Sequence, residues 1–127
     1  MQNAQYYSER RYKKDIYLLS KSFSYDFFKF LRKLKINFSS KHILDQIYRS
    51  SSSISANLTE ATHSGTKKEL ARKLSISLGE ALETEHWLEY LFIEYPQKNE
   101  ELTSFKTRLS EIIAILSASV KKLRNKI

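Results

Sequence analysis

The sequence predicts an all-α fold, an up-down-up-down antiparallel four-helix bundle. Three observations carry that prediction. The 127 residues include only two glycines and one proline, too few for the many turns of an all-β domain. Four long stretches repeat apolar residues at steps of three and four, which is one face of an α-helix. The breaks between those stretches are a few residues long, and short connections make successive helices antiparallel neighbours. At this length the chain is expected to form one domain over residues 1–127, with an ordinary buried core.

The first helix is expected over residues 9–35, with Tyr12, Ile16, Leu19, Phe23, Phe27, Phe30 and Leu34 on its inner face. The second is expected over residues 40–63, with Ile43, Ile47, Ser50, Ile54, Leu58 and Ala61 inward and Ser39 or Ser40 as the cap. Ser50, Ser51, Ser52 and Ser53 are poor helix formers taken alone. Inside an apolar period they read as small residues that let a neighbouring helix approach closely. Gly65 suits a left-handed position ending that helix. Thr66 and Glu69 make a capping box for the third helix, residues 66–94, so helices two and three form a tight hairpin. Pro96 ends the third helix. The fourth is expected over residues 98–126, with Asn99 as a candidate cap and a heptad-like seam from Leu102 to Ile127. Trp87, Leu91 and Ile115 widen the apolar surface, which implies a thick core or a self-association face.

No apolar run follows the polar N-terminus, so no signal peptide is expected. The most apolar window, residues 112–120, is far shorter than a bilayer requires. The expectation is a soluble, cytoplasmic protein without a membrane partner. The absence of cysteine excludes disulfides, thiolate metal sites and cysteine nucleophiles.

Two Glu-x-x-His pairs, Glu60 with His63 and Glu83 with His86, resemble half of a di-iron bundle site. With the turn near Gly65, the two glutamates differ in height by about thirteen residues, roughly 20 Å along the helices. One dinuclear site within a chain is therefore not expected, and neither is any other metal or cofactor. The serine run lacks a Gly-x-Ser-x-Gly turn, and no Gly-rich phosphate loop is present. No catalytic residue is assigned. Arg49, Asn57, Glu60, Glu80 and Glu83 are expected to form a buried structural polar network across the hairpin.

Charge is more informative. The chain carries 22 Lys and Arg against 14 Asp and Glu, a net +8. In an antiparallel bundle one end gathers the start of helix one, the hairpin tip and the end of helix four. That end holds Arg10, Arg11, Lys13, Lys14, Lys67, Lys68, Arg72, Lys73, Lys121, Lys122, Arg124 and Lys126, twelve cations against four acids, so the whole net charge sits there. These residues are the candidate nucleic-acid contacts, with Tyr6, Tyr7 and Tyr12 near enough to stack on bases. Lacking a groove-reading motif, the contact is expected to be mainly with the RNA or DNA backbone. The plainer reading is a solvated basic end.

The stretch from Gln46 to Leu91 resembles a known family. Gln46, Arg49, Ser50, Ser53, Ile54, Ala56, Asn57, Glu60 and Ala61 match a pattern Q-L-x-R-S-x-x-S-I-x-A-N-x-x-E-A. Thr66, Lys67 and Lys68 match a basic turn, and Ile76, Leu78, Glu80, Ala81, Glu83, Thr84, Trp87 and Leu88 match the segment that follows. The pattern is that of the proteins encoded within intervening sequences of bacterial 23S ribosomal RNA genes, also labelled the S23 ribosomal protein family. Ser55 and His86 are small departures. The resemblance implies a four-helix bundle assembled as a ring-like homopentamer, without enzymatic activity, and a more distant similarity to the accessory variability proteins of retroelements, which bind nucleic acid and a reverse transcriptase. The family label refers to where the founding genes lie and does not imply a ribosome component. The functional expectation is a non-enzymatic, oligomeric nucleic-acid-binding protein. The alternative is a protein–protein adaptor or accessory subunit, for example of a reverse transcriptase.

Overall fold

The computed structural model describes the backbone of residues 4–125 and the side chains of residues 16–125. It contains α1 (Ala4–Leu31), α2 (Phe38–Ala61), α3 (Lys67–Glu94) and α4 (Asn99–Arg124). Each helix packs on its neighbour in sequence, α1 also packs on α4, and among the described residues the diagonal pairs stay apart. This is the expected four-helix bundle. Among the described residues the α2/α3 interface is the most extensive and the α1/α4 interface the thinnest.

Side-chain size explains that difference. The α2/α3 seam is lined by Ser50, Ser77, Ala81 and Thr84, all completely buried. Ser77 Oγ donates to the Ile54 carbonyl across the seam at 2.8 Å, and Thr84 Oγ1 lies 2.9 Å from Ser50 Oγ. Small hydroxyls thus bring the two backbones together and satisfy one another once water is excluded. Of the four consecutive serines, Ser50 and Ser51 are buried while Ser52 is exposed, so two of the four do the close packing. The α1/α4 interface uses rings instead. Phe105 sits 5.0 Å from Phe27 and 5.2 Å from Phe30, centroid to centroid. Phe23 and Phe27 stack on the same side at 5.2 Å. Phe23, Phe27, Ile47, Ile54, Leu88, Leu102, Leu109 and Leu116 form the centre of the core.

Several boundaries differ from expectation, each for a local reason. Helix α1 ends at Leu31 instead of residue 35. Lys33 and Leu34 donate to carbonyls three residues back, at 3.1 Å each, which tightens and ends the helix. Leu34 stays buried in the loop, so its apolar signal outlasts the helix. The cap of α2 is Asn37, not Ser39 or Ser40. Its side chain accepts from Ser40 N–H and its own N–H donates to Ser40 Oγ, each at 2.9 Å.

Gly65 is not left-handed; no described residue has a positive φ. His63 and Ser64 close the end of α2 by donating to carbonyls three residues back, and a Cβ on Gly65 would meet nothing within 4 Å. Thr66 caps α3 as expected, accepting from Glu69 N–H at 3.1 Å, but the Glu69 carboxylate takes the Gly65 N–H at 3.4 Å in place of the cap's own. Beyond α3, Pro96 opens a single 3-10 turn, Pro96–Lys98, from which α4 starts with no side-chain cap, so Asn99 does not serve as one.

Candidate nucleic-acid interface

The hairpin register fixes which charged residues can meet. The 50/84 and 54/77 hydroxyl contacts place α2 and α3 level with each other, and the ion pairs follow the same register. Arg49 bonds Glu80 at 3.2 Å and also bonds Glu83, while Lys73 bonds Glu60. Glu83 additionally accepts the Trp87 indole N–H at 3.5 Å. Asn57 stays on its own helix, donating to the Ser53 carbonyl at 2.8 Å.

The expected network of Arg49, Asn57, Glu60, Glu80 and Glu83 is therefore not one unit and is not buried. It is two separate ion-paired groups on the flank of the hairpin, with the Arg49 side chain 50% exposed. The buried polar network is the Ser50–Thr84 and Ser77–Ile54 seam. Strict steps of hydroxyl residues inside an apolar period were its available signal. The Arg49 guanidinium holds the Glu83 carboxyl below the ordinary glutamate value, and the Lys73 ammonium does the same for Glu60.

Glu83 lies level with Arg49, about eleven residues or 17 Å along α2 from Glu60. The two Glu-x-x-His pairs are kept apart accordingly. Among the described residues no three His, Cys, Asp or Glu side chains are grouped to hold a metal ion.

The basic end is assembled by the tip of the α2/α3 hairpin and the last turns of α4. Arg124 reaches across from α4 and donates to Ser75 Oγ of α3 at 3.1 Å, which fixes the two helices together there. Lys67, Lys68, Arg72, Lys121, Lys122 and Arg124 are exposed. Lys67, Lys68, Arg72, Lys121 and Arg124 form no ion pair among the described residues. Lys73 differs, being half-buried and held by Glu60. The other described tip acid, Glu69, is turned to the Gly65 N–H. Among the described residues no acid lies within ion-pair distance of the main cation cluster of Lys67, Lys68, Arg72, Lys121 and Arg124. The side chains of Arg10, Arg11, Lys13, Lys14 and Lys126, like those of Tyr6, Tyr7 and Tyr12, lie outside the described residues.

At the opposite end, which we call the base, the structure gathers residues that periodicity alone did not connect. His42 and His86 pack edge-on to Trp87 at 5.6 and 5.0 Å, and Tyr90 lies 5.4 Å from Trp87. Phe38, Ile93 and Ile36 stand 101%, 76% and 61% exposed around that end. The hairpin register, which sets residue 42 opposite residue 90, would have brought most of this patch together from the sequence.

No described helix is long and apolar enough to cross a membrane. No curated protein sequence matches the chain. A crystal structure of a protein of unknown function from the S23 ribosomal protein family of Bacteroides thetaiotaomicron VPI-5482 is similar, with 28% identity, a TM-score of 0.74, and coverage of 87% of this chain and 98% of that one. The family model for the 23S rRNA-intervening sequence protein matches residues 12–118. With the hairpin motif, the bundle and this match over most of its length, the chain belongs to the 23S rRNA-intervening sequence protein family.

Proposed function

We propose that the protein is a non-enzymatic, cytoplasmic nucleic-acid-binding protein that holds RNA or DNA by its backbone at the basic end of the bundle. The observation that carries this reading is the group of exposed cations at the tip, Lys67, Lys68, Arg72, Lys121 and Arg124, none within ion-pair distance of an acid among the described residues. Cations left unpaired and solvated on one surface keep their full attraction for a polyanion and release its counterions on binding. We further propose that copies assemble side by side, as a pentamer. Five such ends in one ring would carry about +40, and avidity would raise affinity without a new kind of contact.

The test is charge reversal of Lys67, Lys68, Lys121 and Lys122 to Glu. Binding to single- and double-stranded RNA and DNA at low salt should be abolished, with helicity and oligomeric state unchanged. Undiminished binding by that variant, or no binding by the parent protein, would refute the proposal. A second reading, a protein–protein adaptor, is favoured by the exposed apolar residues of the base, Phe38 and Ile93 above all. A protein partner whose binding survives the charge reversal but not Phe38→Ser would support it.

A further inference from the structure

Within the basic end, the cations are not equivalent. An open groove runs between the start of α3 and the end of α4, lined by Thr66, Lys68, Arg72, Ser75 and Arg124 together with Glu69 and Ala71. Three of these side chains are cations, contributed by two helices, and none is ion-paired among the described residues. Ser75 is half-buried on the groove wall and accepts from Arg124 Nη2 at 3.1 Å, which leaves its own proton to donate. The groove's one carboxylate, Glu69, is within reach of the Gly65 N–H at 3.4 Å. Lys121 is exposed and does not line the groove, and Lys73 is taken by Glu60.

We infer that this α3/α4 groove is the seat of one phosphate group, held by Lys68, Arg72 and Arg124 with the Ser75 hydroxyl as a further donor. The inference rests on the proposed function only for the source of that phosphate, a phosphodiester of a bound strand. Guanidinium forks match phosphate oxygens in a way a lone ammonium does not. A seat built from two arginines therefore fixes where a strand crosses the bundle end, whereas Lys67, Lys121 and Lys122 add attraction without position. Arg124 also couples the seat to the fold, because its bond to Ser75 holds the last turn of α4 against α3.

Two measurements on the full chain test this. In the first, the 15N-labelled protein is titrated with inorganic phosphate at constant ionic strength, with chloride as the control. Saturable shifts are expected at the Arg72 and Arg124 side-chain N–H groups and the Ser75 amide, and not at the Lys121 amide. In the second, affinity for a fluorescent single-stranded RNA is compared across variants that each remove one charge. Arg72→Gln and Arg124→Gln should each cost about tenfold or more, as removal of a charge-assisted hydrogen bond does. Lys121→Gln should cost about twofold to threefold, as removal of a screened surface charge does. Arg124→Lys, which keeps the charge, should still weaken binding.

Absence of saturable groove shifts overturns the seat, whatever the RNA does. Shifts with equal weakening by all three Gln variants would make it a site for free phosphate only and overturn the backbone assignment. Shifts in a protein that binds no RNA or DNA would leave the seat standing while the proposed function falls.

Discussion

The two ends of the bundle are built from different chemistry, although the same helices run through both. At the tip, α2 stops in a tightened turn and α3 starts from the Thr66 cap, and the exposed Lys67, Lys68, Arg72, Lys121 and Arg124 form no ion pair among the described residues. At the base, several polar groups fasten one element to another. The Tyr95 hydroxyl donates to the Lys35 carbonyl at 2.7 Å, Ser39 donates to Glu94 at 2.9 Å, and the Asn37–Ser40 box closes the start of α2. Beside exposed lysines, the base also leaves three large apolar residues in water, Ile36, Phe38 and Ile93. The comparison teaches that the tip fastens itself with few of its cations, Lys73 to Glu60 and Arg124 to Ser75, while Lys67, Lys68, Arg72 and Lys121 form no ion pair among the described residues. The base makes its polar contacts between its own elements and leaves Phe38 and Ile93 exposed.

Between the ends, the core should break both together. Phe27→Ala removes the ring between Phe23 and Phe105 and should cost about 3–5 kcal/mol by urea denaturation, with helicity disappearing at tip and base in one transition. Next in size is Thr84→Val, which keeps the shape but leaves buried Ser50 only the Ile47 carbonyl, at 3.4 Å. A destabilisation of about 1–2 kcal/mol is expected, concentrated on the α2/α3 seam. If Thr84→Val cost nothing, the Ser50–Thr84 contact would contribute packing alone.

Arg49→Met should cost less than about 1 kcal/mol at neutral pH, since the pair it breaks is half in water. Its sign with pH is fixed by the lowered folded value of Glu83. Stabilisation from a depressed carboxyl is complete above the ordinary glutamate value of 4.5 and is lost as pH falls through the lowered one. The stability gap between parent and Arg49→Met should therefore shrink on acidification from about pH 6 to about pH 3. The smallest effect on folding is expected at the base. Phe38→Ser should change stability by no more than about 0.5 kcal/mol and leave RNA affinity unchanged, while weakening any self-association or partner docking that uses the base.

The bundle was legible in the sequence because helix periodicity, few glycines and short breaks all pointed the same way. Boundaries were less so. The apolar period carries Leu34 past the end of α1, and Asn37 lies outside the amphipathic stretch it caps. Gly65 misleads because its residue type suggests a left-handed turn, whereas three-residue carbonyl bonds close this one without it. The basic end was legible as a charge tally once the helices were antiparallel. Its groove was not, because which lysines face a groove and which face water depends on how α4 is rotated against α3. The polar network failed for a related reason: composition puts Arg49, Asn57 and three glutamates on the hairpin, but only the register decides that the charged ones split into two ion-paired groups on its flank and that Asn57 joins neither.

The measurement that bears most directly on the central claim is the salt dependence of affinity for a single-stranded RNA, with the two ends neutralised in turn. One variant carries Gln at Lys67, Lys68, Lys121 and Lys122; the other carries Gln at Lys29, Lys33, Lys35 and Lys41, which are exposed and nearer the base. Both remove the same charge. Log affinity of the parent should fall linearly with log salt, and the tip variant should flatten that slope by about 0.7 for each phosphate it no longer neutralises. The base variant should keep the parent's slope. Equal flattening in the two variants would mean that net charge, not the tip, attracts the strand, and would contradict the account.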